Sequence, residues 1–167
     1  MKKVIIIFLS LFFYLSQGQN IAYVDSKYIL ENIPEFSSAQ DELNNLSIDW
    51  QEEIDLLKEE VEKLYRTYQA EQYLLPEEKK KNREEMIISK EKEVKSLTKK
   101  RFGPDGDLYK KQQQLIQPIQ DLIYTAIKNF ADEAKYDIIF DKSSDLLMIY
   151  SNPELDKSQE ILEKLGY

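Results

Sequence analysis

The sequence predicts an α+β fold in which a small three-stranded antiparallel β body carries a long antiparallel helical hairpin. Apolar residues recur at steps of three and four over residues 43–68, the heptad pattern of a coiled-coil helix. Short β-branched and aromatic runs near both ends of the chain are typical of strands. Three apolar pairs lie symmetrically about the Leu75-Pro76 junction, as a hairpin requires: Leu64 with Ile87, Leu57 with Val94 and Ile54 with Leu97.

The composition excludes several classes of function. Charged residues make up 32% of the 167 residues, which suits a two-helix arm better than a large core. The net charge of −8 argues against a nucleic-acid partner, because Lys and Arg dominate phosphate binding. The chain has no His and no Cys, so imidazole and thiolate metal sites and Cys or His catalysis are absent. Its carboxylates fall on exposed helix faces without the burial that acid–base catalysis needs, so neither an enzyme nor a cofactor is predicted.

The first 18 residues are predicted to be a cleaved signal peptide. Lys2 and Lys3 precede an apolar run over residues 4–15, and Ser16-Gln17-Gly18 supplies small residues for cleavage after Gly18. An uncleaved membrane anchor is the alternative, although the run is short for a bilayer span. No Cys follows the run, which excludes lipoprotein processing. The mature chain would carry a net charge of about −10.

The first strand and the hairpin follow the signal peptide. Ile21-Ala22-Tyr23-Val24-Asp25 is predicted to be the first strand. Ser37 and Gln40 have the spacing of a capping box that opens the outgoing helix, which then runs to about Tyr73. Its length would be roughly 55 Å. The chain reverses near residues 74–77, and the returning helix begins near Glu77, so that residues 37–114 form the arm.

The returning helix ends at a glycine-rich break. Two glycines and a proline within residues 102–107 cannot continue a helical hydrogen-bond ladder. The helix beyond it is broadly apolar over residues 115–136, and Pro118 should kink it or mark a fresh start.

The closing segment is predicted to complete the β body, formed by residues 19–36 and 115–167. Residues 138–140 and 146–150 are apolar runs separated by the polar loop 142–145, which is typical of a β-hairpin. Asp156 is the predicted N-cap of the last helix, and Gly166 ends that helix.

The strands predict an obligate homo-oligomer. The second and third strands are apolar on both faces, and three short strands from one chain cannot cover both faces and both edges. A monomer that uses its own terminal helices as cover is the alternative. The side chains predicted to form the shared core are Ile21, Tyr23, Val24, Ile138, Phe140, Leu147 and Ile149.

These features together resemble the Skp/OmpH family of periplasmic chaperones for outer-membrane proteins. The resemblance rests on the order and spacing of the opening strand, the charged arm, the segment 102–108, the block 136–143, and the stretches 146–150 and 156–158. It implies a periplasmic homotrimer whose helical tentacles hold unfolded outer-membrane proteins without ATP. Well-studied members are strongly basic, whereas this chain is acidic, and lipopolysaccharide or peripheral membrane binding is not predicted.

Client contact is predicted at the arm and its tip. Dispersed apolar groups suit adaptable binding of many unfolded chains. The predicted apolar contacts are Tyr65, Tyr73, Leu74 and Leu75, with Lys79, Lys80, Lys81 and Arg83 as local basic groups. The tip residues could instead pack the turn, and the cations could be solvated partners of nearby Glu residues. A structural or adaptor coiled coil of the envelope, binding one folded partner, is the second hypothesis.

Overall fold

The computed structural model describes residues 18–144 and 148–167, so most of the predicted signal peptide lies outside the described residues. By contacts the chain divides into two units: one spans residues 34–119, and the other combines the residues up to Ile33 with residues 120–167. Each unit is described by itself. The elements are β1 (Ile21–Val24), α1 (Ser26–Glu31), α2 (Pro34–Glu71), α3 (Glu77–Phe102), α4 (Asp107–Ala134), β2 (Ile138–Asp141), a 3-10 turn (Pro153–Leu155) and α5 (Ser158–Leu165).

The two strands pair in parallel, so the antiparallel prediction is wrong for this pair. The register runs from Ile21 opposite Ile138 to Val24 opposite Asp141. Parallel strands need a long crossover connection, and the helices between β1 and β2 supply one. The prediction failed because the hairpin signal concerned only the second and third strands.

The predicted third strand is not seen in the described part of its range. Residues 148–150 are outside any strand, and residues 145–147, which include Leu147, lie outside the described residues. The free edge of β1 is instead met by Asp156, which forms an isolated parallel bridge with Tyr23. The Lys157 N–H donates to the Tyr23 carbonyl at 2.9 Å. The chain itself therefore closes part of an edge that was predicted to need a neighbouring subunit.

In the unit that contains the strands, the hydrophobic core lies between β1, α1 and α5. Val24 on β1, Ile29 on α1, Ile33 beyond it and Ile161 on α5 are almost completely buried, with Leu162 beside them. The apolar residues of α1 and α5 lie on one face of each short helix, and that face packs in the core. A few residues therefore supply most of the buried apolar surface.

A buried serine ties β1 to the start of α5. The Ser158 hydroxyl donates to the Asp156 carboxylate at 2.6 Å and accepts from the Asp25 N–H at 2.8 Å. Asp156 also accepts from the Ser158 N–H at 3.0 Å. The N-cap of α5 is Lys157, so the predicted N-cap, Asp156, lies one residue before the cap position. Gly166, at φ 92°, ends α5 as predicted.

Asp141, at the end of β2, anchors the first turn of α1. Its carboxylate accepts from the Ser26 N–H at 3.1 Å and from the Ser26 hydroxyl at 2.6 Å. The Ser143 N–H and hydroxyl donate to it at 3.0 and 2.8 Å. Partial burial acts to raise the pKa of Asp141, but the hydrogen bonds from Ser26 and Ser143 outweigh it and lower the pKa from its ordinary value.

Asp141→Asn is expected to lower the free energy of unfolding at neutral pH by about 1–2 kcal/mol, allowing for partial exposure to water. A carboxylate with a lowered pKa stabilises the fold above its unfolded pKa, and this contribution is lost as the pH falls through the lowered value. The difference in free energy of unfolding between the variant and the unmodified protein should therefore shrink in acid. Urea unfolding at a series of pH values measures it. Asp132→Asn, which removes an exposed carboxylate on α4, is the control. A deficit that is constant down to strong acid would contradict this assignment.

The hairpin of the second unit forms as predicted, with one shifted boundary. Helix α2 begins at Pro34, whose fixed φ suits a first turn, so Ser37 and Gln40 lie inside the helix and the capping-box prediction is wrong. Helix α3 begins at Glu77, as predicted. Ile54 on α2 and Ile87 on α3 are buried, as expected of seam residues.

The glycine break also lies where it is predicted. Helix α3 ends at Phe102, and α4 begins at Asp107. A Cβ on Gly103 would lie 2.3 Å from the Lys99 carbonyl oxygen, and one on Gly106 would lie 2.8 Å from the Arg101 carbonyl oxygen. Both positions therefore need glycine because the backbone packs too closely for a side chain. Helix α4 runs through Pro118 without a fresh start.

A cluster of side chains holds the break together. The Arg101 guanidinium pairs with Glu53 on α2 at 3.0 Å and with Asp107 on α4 at 2.8 Å. It also lies 4.8 Å from the ring centre of Trp50. The rings of Trp50 and Phe102 are nearly perpendicular, and their centres lie 6.4 Å apart. This cluster joins α2, α3 and α4 where the helical ladder is interrupted.

Candidate functional site

The hairpin tip, residues 72–76, exposes two large apolar side chains. The turn is closed by backbone hydrogen bonds, since the Leu74 N–H donates to the Glu71 carbonyl at 2.8 Å. Tyr73 is 88% exposed and Leu74 is 86% exposed, whereas Leu75 is half-buried. Leu75 therefore packs within the turn, whereas Tyr73 and Leu74 do not.

The predicted basic residues beside the tip mostly form ion pairs. Lys80 pairs with Glu77 at 2.6 Å and Lys81 with Glu85 at 3.9 Å, both along α3. Arg83 lies 4.0 Å from Glu71 across the hairpin. Lys79 is exposed and forms no ion pair with any described residue. Exposed pairs contribute little to stability, and they partly neutralise the local positive charge.

Tyr65, the remaining predicted contact, lies half-exposed on α2 one turn before Tyr68. The Tyr68 hydroxyl donates to the Glu84 carboxylate across the hairpin, and this hydrogen bond raises the pKa of Tyr68. Tyr68 therefore belongs to the joint between the two helices, whereas Tyr65 faces solvent.

Four further exposed apolar residues on the hairpin lie outside the predicted site. Their signal in the sequence is that they fall off the heptad seam, and an apolar residue off the seam has no place in the two-helix core. They are Ile48, Leu56, Met86 and Ile88.

The two helices of the hairpin differ in charge. Helix α2 carries eleven Asp and Glu against three Lys and Arg, whereas α3 carries six against ten. Each described ion pair between α2 and the returning helices has its carboxylate on α2. These pairs join Glu71 to Arg83, Glu60 to Lys90, Glu53 to Arg101 and Glu42 to Lys111. The charge pattern therefore supports the same register as the apolar seam.

The residues predicted for oligomerisation separate into two groups. Tyr23 and Val24 are buried within their own chain, and Phe140 is half-buried. Ile21 and Ile138 are partly exposed, and Ile149 is 93% exposed.

An open groove of about 360 Å³ lies beside this sheet. Its lining is largely apolar and comes from β1, α1, α4 and β2, with Val24, Leu30, Ile123, Ile127 and Phe140 among the lining residues. This groove, with Ile21 and Ile138 on the strands, leaves apolar surface uncovered around the sheet.

The described residues contain no group of three or more Asp, Glu, His or Cys side chains placed to hold a metal ion. Within the same residues, no helix combines the length and the apolar character that crossing a membrane requires. The arrangement is thus a charged hairpin with an apolar tip, joined in sequence to a small unit with an apolar groove.

Comparison with known proteins assigns the family. The model of the family described as outer membrane protein (OmpH-like) matches residues 20–165. A protein of Caulobacter crescentus CB15, described as a candidate outer membrane chaperone (OmpH-like), has a crystal structure similar to this chain. The TM-score is 0.70 at 10% sequence identity, covering 89% of this chain and 84% of that one. No curated protein matches the sequence. Because the family model spans nearly all of the described residues, the chain belongs to the OmpH-like family.

Proposed function

We propose that this protein is an ATP-independent periplasmic holdase that binds unfolded outer-membrane proteins and prevents their aggregation. The observation that carries the proposal is the exposure of Tyr73 and Leu74 at the hairpin tip. Family membership supports a role in the biogenesis of outer-membrane proteins. A signal peptide cleaved after Gly18 would deliver the chain to the periplasm.

The exposed apolar residues suit weak, adaptable contact with many clients. Tyr65, Tyr73 and Leu74 stand on a hairpin whose own seam is already filled by other residues. Each can bury only part of its surface against a mobile chain and so contributes about 0.7 kcal/mol. Several such contacts hold an unfolded chain without fixing its conformation, and none needs nucleotide hydrolysis.

The proposal includes a homotrimer formed through the strand-containing unit. Its support is the apolar groove beside the sheet, together with the exposure of Ile21, Ile138 and Ile149. An oligomer would bury this surface and place several arms around one client.

Replacing Tyr73 and Leu74 together by serine is expected to weaken client binding about tenfold, because roughly 1.4 kcal/mol of apolar contact is lost. The measurement is titration of the mature protein against an unfolded outer-membrane protein diluted from urea, followed by light scattering. Circular dichroism should be unchanged, since both side chains lie outside the packed seam.

The matched control is Glu78→Ser with Asn82→Ser, which removes two exposed polar side chains from the start of α3. This control should hold the client as the unmodified protein does. Equal holding by the tip variant would remove Tyr73 and Leu74 from the binding surface.

The mass of the mature protein, alone and with the client, tests the assembly. A trimer that keeps the client in a soluble complex is the expected result. A trimer that lets every client aggregate would favour the envelope adaptor, and a monomer would contradict the shared β body.

A further inference from the structure

The outer face of α2 combines exposed apolar side chains with acidic ones. Ile48 is 62% exposed and Leu56 is 66% exposed, and both lie away from the seam residue Ile54. Asp41, Glu52 and Glu59 fall at steps of three, four and seven from them, which places all five residues along one side of the helix. These five residues, Asp41, Ile48, Glu52, Leu56 and Glu59, are called the outer stripe.

The carboxylates of the outer stripe take no part in the ion pairs that join α2 to the returning helices. Glu42, Glu53, Glu60 and Glu71 are the carboxylates of α2 that pair across to the returning helices. Asp41, Glu52 and Glu59 are exposed and form no ion pair with any other residue in the described ranges. Toward the tip, the stripe is bounded by Lys63, one turn beyond Glu59.

We infer that the outer stripe is a docking surface for client segments that carry Lys or Arg next to apolar residues. The inference rests on the proposed holdase function and names the chemistry of the client. Ile48 and Leu56 supply apolar contact, and the flanking carboxylates attract cations and repel acidic segments. A net charge of −8 extends the same preference over the whole chain at low ionic strength.

The inference is tested with two unfolded probe peptides that share the same apolar residues. One probe has Lys at its polar positions, and the other has Glu there. Fluorescence anisotropy should show at least tenfold tighter binding of the lysine probe in dilute buffer. The preference should disappear near 1 M salt, where the screening length is about 3 Å. Equal binding of the two probes, or tighter binding of the glutamate probe, would overturn the inference.

Matched variants distinguish the effect of the stripe's carboxylates on binding from the effect of the overall net charge. Asp41→Asn, Glu52→Gln and Glu59→Gln together should remove most of the preference. The control removes the same amount of charge elsewhere on the hairpin unit, through Glu78→Gln, Glu91→Gln and Asp105→Asn. An equal loss of preference in the control would overturn the assignment to the stripe. Ile48→Ser with Leu56→Ser should weaken binding of both probes by the same factor.

The absence of native cysteine allows a direct contact test. Asn45 is exposed one turn from Asp41 and Ile48, so Asn45→Cys can carry a photo-crosslinker. Crosslinking to the lysine probe is expected. Crosslinking to a second copy of this chain, undiminished by added probe, would show that a neighbouring subunit covers the stripe and would overturn the inference. Failure of the holdase function itself looks different, since neither probe would bind and unfolded outer-membrane protein would aggregate.

Discussion

Ile161→Ala is expected to lower the free energy of unfolding by about 2–5 kcal/mol. Ile161 is completely buried on α5, in the core that also contains Ile29 of α1 and Val24 of β1. Removing three carbons loses their transfer free energy and leaves a cavity that a small, tightly connected unit cannot easily close. This loss is a large share of the stability of an ordinary domain.

The measurement is urea unfolding followed by circular dichroism at one fixed protein concentration, because an oligomer's stability depends on concentration. Leu122→Ala is the control, since Leu122 is half-exposed on α4 and should change the midpoint little. Ile149→Ala tests the oligomer, because a large fall in its midpoint would show that a subunit contact buries Ile149. An unchanged midpoint for Ile161→Ala would contradict the packing of α5 against α1 and β1.

Gly103→Ala is expected to destabilise the hairpin unit by about 2–3 kcal/mol, in the range found for overpacked sites. The new methyl carbon would lie 2.3 Å from the Lys99 carbonyl oxygen, so the backbone must move. That movement would break the hydrogen bond from the Gly103 N–H to the same oxygen. It would also displace Phe102 and Arg101 from Trp50.

Trp50 is the single tryptophan of the chain, so its fluorescence reports on this cluster directly. The emission of Gly103→Ala should shift in native buffer, and its urea midpoint should fall. Asp105→Ala changes an exposed residue of the same break and should leave both unchanged. If Gly103→Ala kept the Trp50 emission and the urea midpoint of the unmodified protein, the break would tolerate a side chain.

The helical hairpin was predictable because its determinants are local and periodic. Seam positions such as Ile54 and Ile87 repeat at helical spacing, and the residues around Pro76 and Gly103 interrupt helices wherever they occur. The start of α2 was missed by three residues, because Pro34 fits a helix's first turn as well as it ends a preceding segment.

The small sheet was only partly predictable. The residues of β1 and β2 were recognised from their β-branched and aromatic composition, but their parallel pairing depends on contacts over more than a hundred residues. The bridge from Asp156 to Tyr23 has no pattern in sequence at all, because a single pair leaves no periodicity. The third strand remains a prediction only over residues 146–147, which lie outside the described residues.

The candidate site divides in the same way. Composition and position at a turn pointed to Tyr73 and Leu74, but only the structure distinguishes their exposure from the partial burial of Leu75. Ile48 and Leu56 were overlooked because a search for the seam treats apolar residues off the seam as noise. Of the predicted cations, Lys80 and Lys81 form ion pairs along α3, since Glu77 and Glu85 lie at helical spacing from them.

Local sequence pattern predicted the two hairpin helices, their reversal at Pro76 and the break at Gly103, and composition excludes histidine and cysteine chemistry. These properties depend on near neighbours and on composition, which one sequence displays in full. The parallel sheet, the partial closure of its edge by Asp156 and the exposure of each apolar side chain are visible only in the folded structure. Those properties depend on which distant residues meet, and local pattern does not encode that choice.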